Sequence, residues 1–260
     1  MAKIFNTTAD CKPDLHDMVQ LDQRLLDIRK QIDRGDYFTV NCARQYGKTT
    51  TLRALSRFLR PEYYVVLMDF QMFGAGEFAD ENEFSLSFAR TFLRMLKRNC
   101  VEDTDGFDNA VKILEGVVTE HQSSFRLQQL FEYLSDLCAA LDKKVILMID
   151  EVDSATNNQV FLDLLAQLRA YYIDRDVQPT FHSVILASVY DIRNLKGKLR
   201  SEDEHKINSP WNIAADFKVD MSFSKKEIVG MLLEYETDYS TGMDIGEMAE
   251  LLYAYTSGYP

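Results

Sequence analysis

The 260-residue sequence has few cysteines, no long apolar run and fewer cations than acids. Its four cysteines (Cys11, Cys42, Cys100 and Cys138) show no CxxC spacing and its four histidines are scattered. This pattern argues against a structural zinc and a disulfide framework, so a reducing, cytoplasmic location is expected. No apolar run approaches the roughly 20 residues of a membrane span, and the N-terminus lacks a signal peptide's apolar region. No membrane association is therefore expected.

The shortage of positive charge limits the partners of the chain. There are 41 acidic residues against 29 lysines and arginines, a formal net charge of −12. Nucleic-acid binding normally leaves a basic footprint, so tight binding by this chain is not expected. A small basic patch, or a nucleic-acid-binding module outside this chain, stays open. No NKxD-like guanine-binding motif occurs, which favours ATP over GTP.

A short strand followed by a glycine-lysine-threonine sequence predicts a phosphate-binding loop. Residues 37–40 are aromatic and β-branched, which favours a buried strand. Gly47, Lys48, Thr49 and Thr50 follow, and leucines at helical spacing come next. Strand, tight loop and helix is the context that a P-loop requires. We expect Lys48 to reach the β- and γ-phosphates and Thr49 to ligate Mg²⁺.

The loop backbone completes this predicted site, with one departure from the usual pattern. Amide groups of Arg44, Gln45, Tyr46 and the residues up to Thr50 would face the phosphates at a helix N-terminus. Cys42 stands where the full pattern has glycine, five positions before Gly47. An ordinary turn is the alternative that the loop alone leaves open.

A second motif about 100 residues later strengthens the prediction. Residues 145–149 are all apolar, as in a parallel strand covered on both faces, and Asp150 and Glu151 follow directly. Carboxylates at such a strand end lie where open α/β sheets bind ligands. Asp150 would hold Mg²⁺ through its water shell, and Glu151 would activate the attacking water. The alternative is a core strand that ends in two solvated acids.

Two further predicted strands also end in polar residues. Residues 63–70 form the second strand, in which Asp69 could line the same crevice. Residues 183–188 form the fourth, and Ser188 could lie beside the γ-phosphate and sense hydrolysis. For Ser188 the alternative is simply a small residue at a strand end. A fifth strand is predicted at an edge of the sheet, over 217–221.

Helical periodicity accounts for most of the remaining chain. Three helices between the second and third strands form a long insertion, and their aromatic stripe is expected to be core. Met18 and Val19, in the first helix, are candidates for contact with adenine, with helix packing as the alternative. Ser224 and Glu227 predict a capping box. The predicted helices cover 15–32, 82–99, 107–118, 124–141, 158–173, 225–236 and 244–255.

A polar stretch over 194–210 is predicted to be mobile. Its cations could supply an arginine finger, with Arg193 the first choice, although charge runs are usually solvated. Lys196, Lys198 and Arg200 cluster with Arg193. We predict three parts of the chain: an N-terminal segment and helix (1–36), a P-loop core (37–221) and a truncated helical lid (222–260), with the natural protein continuing beyond Pro260.

Several segments resemble the bacterial AAA-like ATPase family. They are Tyr37-Phe38, Arg44–Thr50, Val184–Asp191, Asn208–Ile213 and the Ser257-Gly258-Tyr259-Pro260 sequence. The resemblance implies a three-layer α/β P-loop NTPase with a parallel five-stranded sheet. It also implies that the strand bearing Ser188 lies between the other two motif strands, and that Gly258-Tyr259-Pro260 reaches toward the nucleotide. Larger members often carry a C-terminal PD-(D/E)xK nuclease-like domain, which this chain lacks.

These observations lead to two hypotheses. The first is a Mg²⁺-dependent ATPase whose hydrolysis switches the small domain, in defence or mobile-element biology. The second is an ATP-binding regulatory scaffold with little turnover that serves a nuclease-like domain. The partners implied are ATP, nucleic acid through a domain outside this chain, and further copies in a homo-oligomer.

Overall fold

A computed structural model describes residues 2–6, 11–99, 105–120, 124–192 and 210–260. The chain forms two compact units. Unit 1 contains residues 1–30, 42–55 and 218–260, and unit 2 contains residues 31–41 and 56–217. The predicted boundaries at residues 36 and 221 divide the chain into consecutive segments, whereas each compact unit combines segments that are separate in sequence. The predicted boundaries stay a prediction.

The described elements alternate strands with longer helices. The strands are β1 (Ile4–Phe5), β2 (His16–Asp17), β3 (Tyr37–Asn41), β4 (Tyr64–Asp69), β5 (Val145–Asp150) and β6 (Ser183–Ser188). The helices are α1 (Asp22–Asp33), α2 (Lys48–Leu59), α3 (Glu81–Asn99), α4 (Asp105–Glu120), α5 (Leu127–Ala140), α6 (Gln159–Ile173), α7 (Lys225–Tyr239) and α8 (Ile245–Thr256). Within the described ranges, none of these helices is long and apolar enough to cross a bilayer.

The larger sheet, in unit 2, is parallel and has the strand order β3-β6-β5-β4. The position of β6 between β3 and β5 agrees with the family resemblance. Every residue of β5 and β6 is buried, as their continuous apolar runs predict for a sheet covered on both faces. Because all four strands run in the same direction, their carboxyl ends meet at one edge.

The prediction of a five-stranded sheet is wrong for the described part of the chain, where this sheet has four strands. Only a single bridge joins the region of the predicted fifth strand to the sheet, between Phe38 and Ala215. The next carbonyl, that of Asp216, accepts a hydrogen bond from the Gln31 side chain at 2.8 Å. Phe217 instead stacks its ring on Phe38 at 5.7 Å. Side-chain contacts thus replace the ladder of backbone hydrogen bonds that a strand needs.

The three-helix insertion between β4 and β5 is confirmed, and its aromatic stripe is core. Phe84, Phe88 and Phe92 are fully buried. Phe70, which directly follows β4, lies within 6.1–6.5 Å, ring centre to ring centre, of Phe84, Phe88 and Phe161. Such spacing suits edge-to-face aromatic packing, so these rings hold the insertion on the sheet.

Trp211, from the family-like segment, is a core residue of unit 2. It lies in a short 3-10 helix, Pro210–Ile213, and is fully buried. Its indole N–H donates to Thr39 Oγ1 in β3 at 2.8 Å, and its ring stacks on Tyr37 at 6.1 Å. This segment therefore supports β3. The predicted cations Arg193, Lys196, Lys198 and Arg200, like Asn208 and Ser209, lie outside the described residues.

Unit 1 begins differently from the prediction of a helix from residue 15. The Leu15 and His16 amides both donate to the Lys12 carbonyl, forming a turn, and the Leu15 carbonyl accepts from Ile4 at 3.1 Å. Residues 16–17 then pair in parallel with residues 4–5. The helix starts only at Asp22 because these turn and strand contacts already engage the preceding backbone.

The predicted capping box is confirmed at the start of α7. The Ser224 hydroxyl accepts from the Glu227 amide at 3.2 Å, and the Glu227 carboxylate accepts from the Ser224 amide at 2.7 Å. The buried Arg24 guanidinium donates to the Ser222 carbonyl at 3.1 Å and forms an ion pair with Glu227 at 3.3 Å. The start of α7 is thereby fixed to α1 within unit 1.

One half-buried histidine should make unit 2 sensitive to acid. His182 stacks on Tyr63 at 5.8 Å, and its buried Nε2 has no hydrogen-bond partner among the described residues. Burial lowers the pKa of His182, and the positive charges of Lys144 and Arg175 act in the same direction. The unfolded chain therefore takes up this proton at a higher pH than the folded chain does. The stability that this difference provides is complete above the unfolded pKa of about 6.5 and is lost as pH falls below it.

We expect His182→Gln to lessen the loss of unfolding free energy between about pH 7 and pH 5, where one proton contributes up to about 1.4 kcal/mol per pH unit. Urea titrations at both pH values measure the difference. His16→Gln, in unit 1, is the control. A variant that loses as much stability as the wild type on acidification would contradict the assignment.

Candidate functional site

The loop after β3 has the backbone geometry of an anion-binding turn. Gln45 and Gly47, two residues apart, have φ values of 66° and 68°. Alternating left-handed residues turn successive amide groups toward one concave side. A Cβ on Gly47 would meet nothing within 4 Å, so this side of the loop is open. The loop leads into α2, where the Thr51 amide donates to the Gly47 carbonyl at 2.8 Å.

Lys48 closes the loop on itself. It is the first residue of α2 and only 7% exposed. Its amine donates to the carbonyls of Cys42 and Ala43 at 2.8 and 3.1 Å. An ammonium group has three donors, so these contacts hold the amine over the loop and leave it able to make another hydrogen bond. Cys42 takes part through its carbonyl, which any residue would supply, so the missing glycine does not prevent this closure.

Two flanking segments of unit 1 also contact the loop. The Cys11 amide donates to the Thr50 hydroxyl at 3.1 Å. The Tyr259 hydroxyl donates to the Arg44 carbonyl at 2.9 Å, and its ring meets Tyr46 edge-on at 4.9 Å. The Gly258-Tyr259-Pro260 segment thus contacts the predicted phosphate loop itself. The family resemblance implies that this segment reaches toward the nucleotide, but no sequence pattern indicates its contacts with Arg44 and Tyr46.

In unit 2, the predicted acids lie at the carboxyl edge of the sheet. Register pairs Asn41 with Ser188 and Asp69 with Asp150, so four strand ends bring polar residues to this edge. Only β6 separates β3, which leads directly into the loop, from β5. The switch in strand order at such an edge is where open α/β sheets bind ligands.

Asp150 is a buried side chain, whereas Glu151 is notable for its backbone conformation. Asp150 is 5% exposed, and its Oδ1 accepts from the Glu151 amide at 2.9 Å. Glu151 has φ 54° and ψ 39°, a left-handed conformation that is costly for a residue other than glycine. This conformation ends β5 and begins the 3-10 helix Val152–Ser154. Backbone strain of this kind is often found at functional sites.

Asp153 is a member of this edge that sequence analysis missed. Its carboxylate accepts from the Ser188 hydroxyl at 3.0 Å and from the amides of Val189 and Tyr190 at 2.7 and 3.3 Å. The 3-10 helix after Glu151 brings it there. The signal for Asp153 in the sequence was a third acidic residue three positions after Asp150. Ser188 itself is fully buried, and its hydroxyl also lies against the Tyr190 carbonyl.

Asp69, Met18 and Val19 are the remaining candidates. Asp69 caps the 3-10 helix Phe70–Met72 by accepting from the Gln71 amide at 2.9 Å. Val19 is 3% exposed, whereas Met18 is half-buried, and both lie before α1 and not within it. Contact of Met18 or Val19 with adenine stays a prediction.

The side chains of Thr49 and Asp150 each carry an oxygen atom of the kind that Mg²⁺ prefers. The described residues contain no group of three or more His, Cys, Asp or Glu that could hold a metal by themselves. Mg²⁺ bound with a nucleotide needs no such group, because it keeps several waters and takes one or two protein oxygens besides the phosphates. The Thr49 hydroxyl, in unit 1, and the Asp150 carboxylate, in unit 2, are each hard oxygen ligands, and their binding of Mg²⁺ stays a prediction.

The fold is shared with a known ATPase structure. The chain is similar to the Walker-type ATPase paby2304 of Pyrococcus abyssi, with a TM-score of 0.63 and 16% sequence identity. The match covers 98% of this chain and 67% of that one. No family model and no curated protein matches the sequence. At this identity the likeness shows the fold alone, a parallel α/β sheet with flanking helices like that of the Walker-type ATPase.

Proposed function

We propose that this chain binds ATP with Mg²⁺ and hydrolyses it, and that hydrolysis changes the conformation of its C-terminal helices. The observation that carries the proposal is the closed loop of residues 42–48, in which Lys48 is held over left-handed Gln45 and Gly47. The fold of a Walker-type ATPase supports it.

Each proposed residue has a separate task. The loop amides from Arg44 to Thr50 bind phosphate oxygens, and Lys48 adds a charge-assisted hydrogen bond. Thr49 and Asp150 would hold Mg²⁺, which would neutralise charge on the phosphates. Glu151 accepts the proton of the attacking water. Ser188 positions the Asp153 carboxylate by donating a hydrogen bond to it.

A scaffold that binds ATP with little turnover is the second candidate. The Ser188 hydroxyl favours the scaffold, because Asp153 and Tyr190 already engage this group within unit 2. A hydroxyl engaged in this way is less available to sense the γ-phosphate. Such a scaffold would serve a nuclease-like domain outside this chain, as the family resemblance suggests. Single-turnover hydrolysis distinguishes the two candidates: ordinary affinity with very slow turnover supports the scaffold.

Lys48→Ala tests the phosphate site. Loss of a hydrogen bond from a charged donor costs about 1.5–3 kcal/mol, so we expect the Kd for Mg-ATP to rise roughly 10- to 100-fold. Titration calorimetry measures the affinity, and circular dichroism checks folding because Lys48 also braces its loop. Lys226→Ala, which removes an exposed lysine of α7, is the control. Equal ATP affinity in wild type and Lys48→Ala would refute the site.

A further inference from the structure

A row of arginines lies along the exposed face of α3. Arg90, Arg94 and Arg98 are four residues apart, so they project from one side of the helix, and all three are exposed. Between Phe84 and Asn99 there are four cations and no acid, in a chain whose net charge is −12. The opposite face of α3 packs into the core.

These charges are not used inside the described structure. Lys97, on the same helix, forms an ion pair with Glu115 of α4 at 2.6 Å. Arg90, Arg94 and Arg98 form no ion pair or hydrogen bond with any residue that the structure describes. Like charges at a spacing of four residues destabilise a helix slightly. Helix stability therefore does not explain Arg90 and Arg94, although Arg98 lies in the last turn, where a cation interacts favourably with the helix dipole.

The end of α2 extends the row. The Arg60 guanidinium donates to Asn99 Oδ1 at 2.6 Å, and Asn99 in turn donates to the Val65 carbonyl at 2.9 Å. Arg60 is thus fixed beside the end of α3. Arg57, an exposed arginine in the last turn of α2, lies three residues before Arg60. Burial lowers the pKa of Arg60, and the charges of Arg57 and Arg98 lower it further. We call Arg57, Arg90, Arg94 and Arg98 the arginine ridge.

The chemistry of the ridge suits a repeating phosphate chain. Guanidinium groups bind phosphates through paired hydrogen bonds, which lysine cannot provide. From Arg90 to Arg98 the ridge spans about 12 Å, with a charge about every 6 Å. We propose that the arginine ridge binds the phosphodiester backbone of nucleic acid. Contacts of this kind position a strand without reading its bases, and the release of counterions from the phosphates makes them strongly dependent on salt.

The test measures DNA binding by the full chain without any nucleotide, so it is independent of the proposed ATPase activity. Fluorescence anisotropy follows short labelled single-stranded and duplex DNA between about 50 and 200 mM salt. We expect the triple variant Arg90→Gln/Arg94→Gln/Arg98→Gln to bind either form at least about 10-fold more weakly at low salt. Its log–log salt dependence should be shallower by about 2–3, one unit for each lost phosphate contact.

A matched triple variant, Lys30→Gln/Arg34→Gln/Arg126→Gln, removes the same charge from exposed positions outside the ridge. It should keep its affinity within about twofold, and both variants should keep the circular dichroism spectrum of the wild type. The proposal is overturned by the absence of wild-type binding at low salt, or by equal loss in both variants. Displacement of the DNA by an equal charge of polyglutamate would also overturn it, by pointing to an acidic protein partner.

Discussion

Replacing Glu151 by Gln is expected to leave ATP binding intact and to lower hydrolysis at least about 100-fold, the usual contribution of a general base. Glutamine has the shape of glutamate and can keep the left-handed backbone at this position (φ 54°). It cannot accept a proton from water. Phosphate release under multiple turnover measures the rate, and binding of a fluorescent ATP analogue measures the affinity.

Glu132→Gln is the control for this experiment. Glu132 is an exposed glutamate of α5, in the same unit, where it accepts a hydrogen bond from Gln128 at 3.1 Å. Its replacement removes the same charge without touching the sheet edge, so the rate should stay within about twofold of wild type. Undiminished turnover in Glu151→Gln would remove Glu151 from its proposed role.

Replacing Gly258 by Ala should strongly destabilise unit 1. Gly258 has φ +78°, and an added Cβ would lie 2.2 Å from the Phe223 carbonyl oxygen. The Phe223 amide also donates to the Gly258 carbonyl at 2.7 Å, so the two backbones cannot easily separate. Strain and overlap together should lower the free energy of unfolding by roughly 2–5 kcal/mol. Tyr259 should then lose its contact with the Arg44 carbonyl.

Gly242→Ala separates these two causes. Gly242 has nearly the same φ, +77°, but a Cβ there would meet nothing within 4 Å. It therefore reports the conformational cost alone, about 1–3 kcal/mol. Thermal unfolding ranks the variants, and limited proteolysis detects release of the chain end. If both alanine variants were equally destabilised, the close approach to Phe223 would have no energetic importance.

Sequence patterns predicted the sheet of unit 2 well, because buried parallel strands are continuous apolar runs. The run from Val145 to Ile149 and the two acids after it were sufficient to predict β5 and its polar end. The motif of residues 47–50 likewise predicted the start of α2. At both positions the local sequence pattern favours the same structure that the folded chain adopts.

The failures arise where distant contacts decide the conformation. The 217–221 segment has an alternating pattern typical of an edge strand, yet Gln31, far away in sequence, donates to the carbonyl of Asp216 directly before it, and Phe217 stacks on Phe38. The contacts of Asp153 with Ser188 depend on the adjacency of β5 and β6, which no local pattern encodes. The positive φ of Gln45 is similarly invisible, because glutamine has no preference for it.

The strand order also constrains how the chain can fold during synthesis. β6 is the last strand of its sheet to be made, yet it lies between β3 and β5. Until residue 188 has left the ribosome, β3 has no neighbour within this sheet, and β5 has one open side. Open strand edges are sites of mispairing between chains. The central place of a late strand therefore makes the nascent protein a candidate for chaperone binding until β6 joins the two halves.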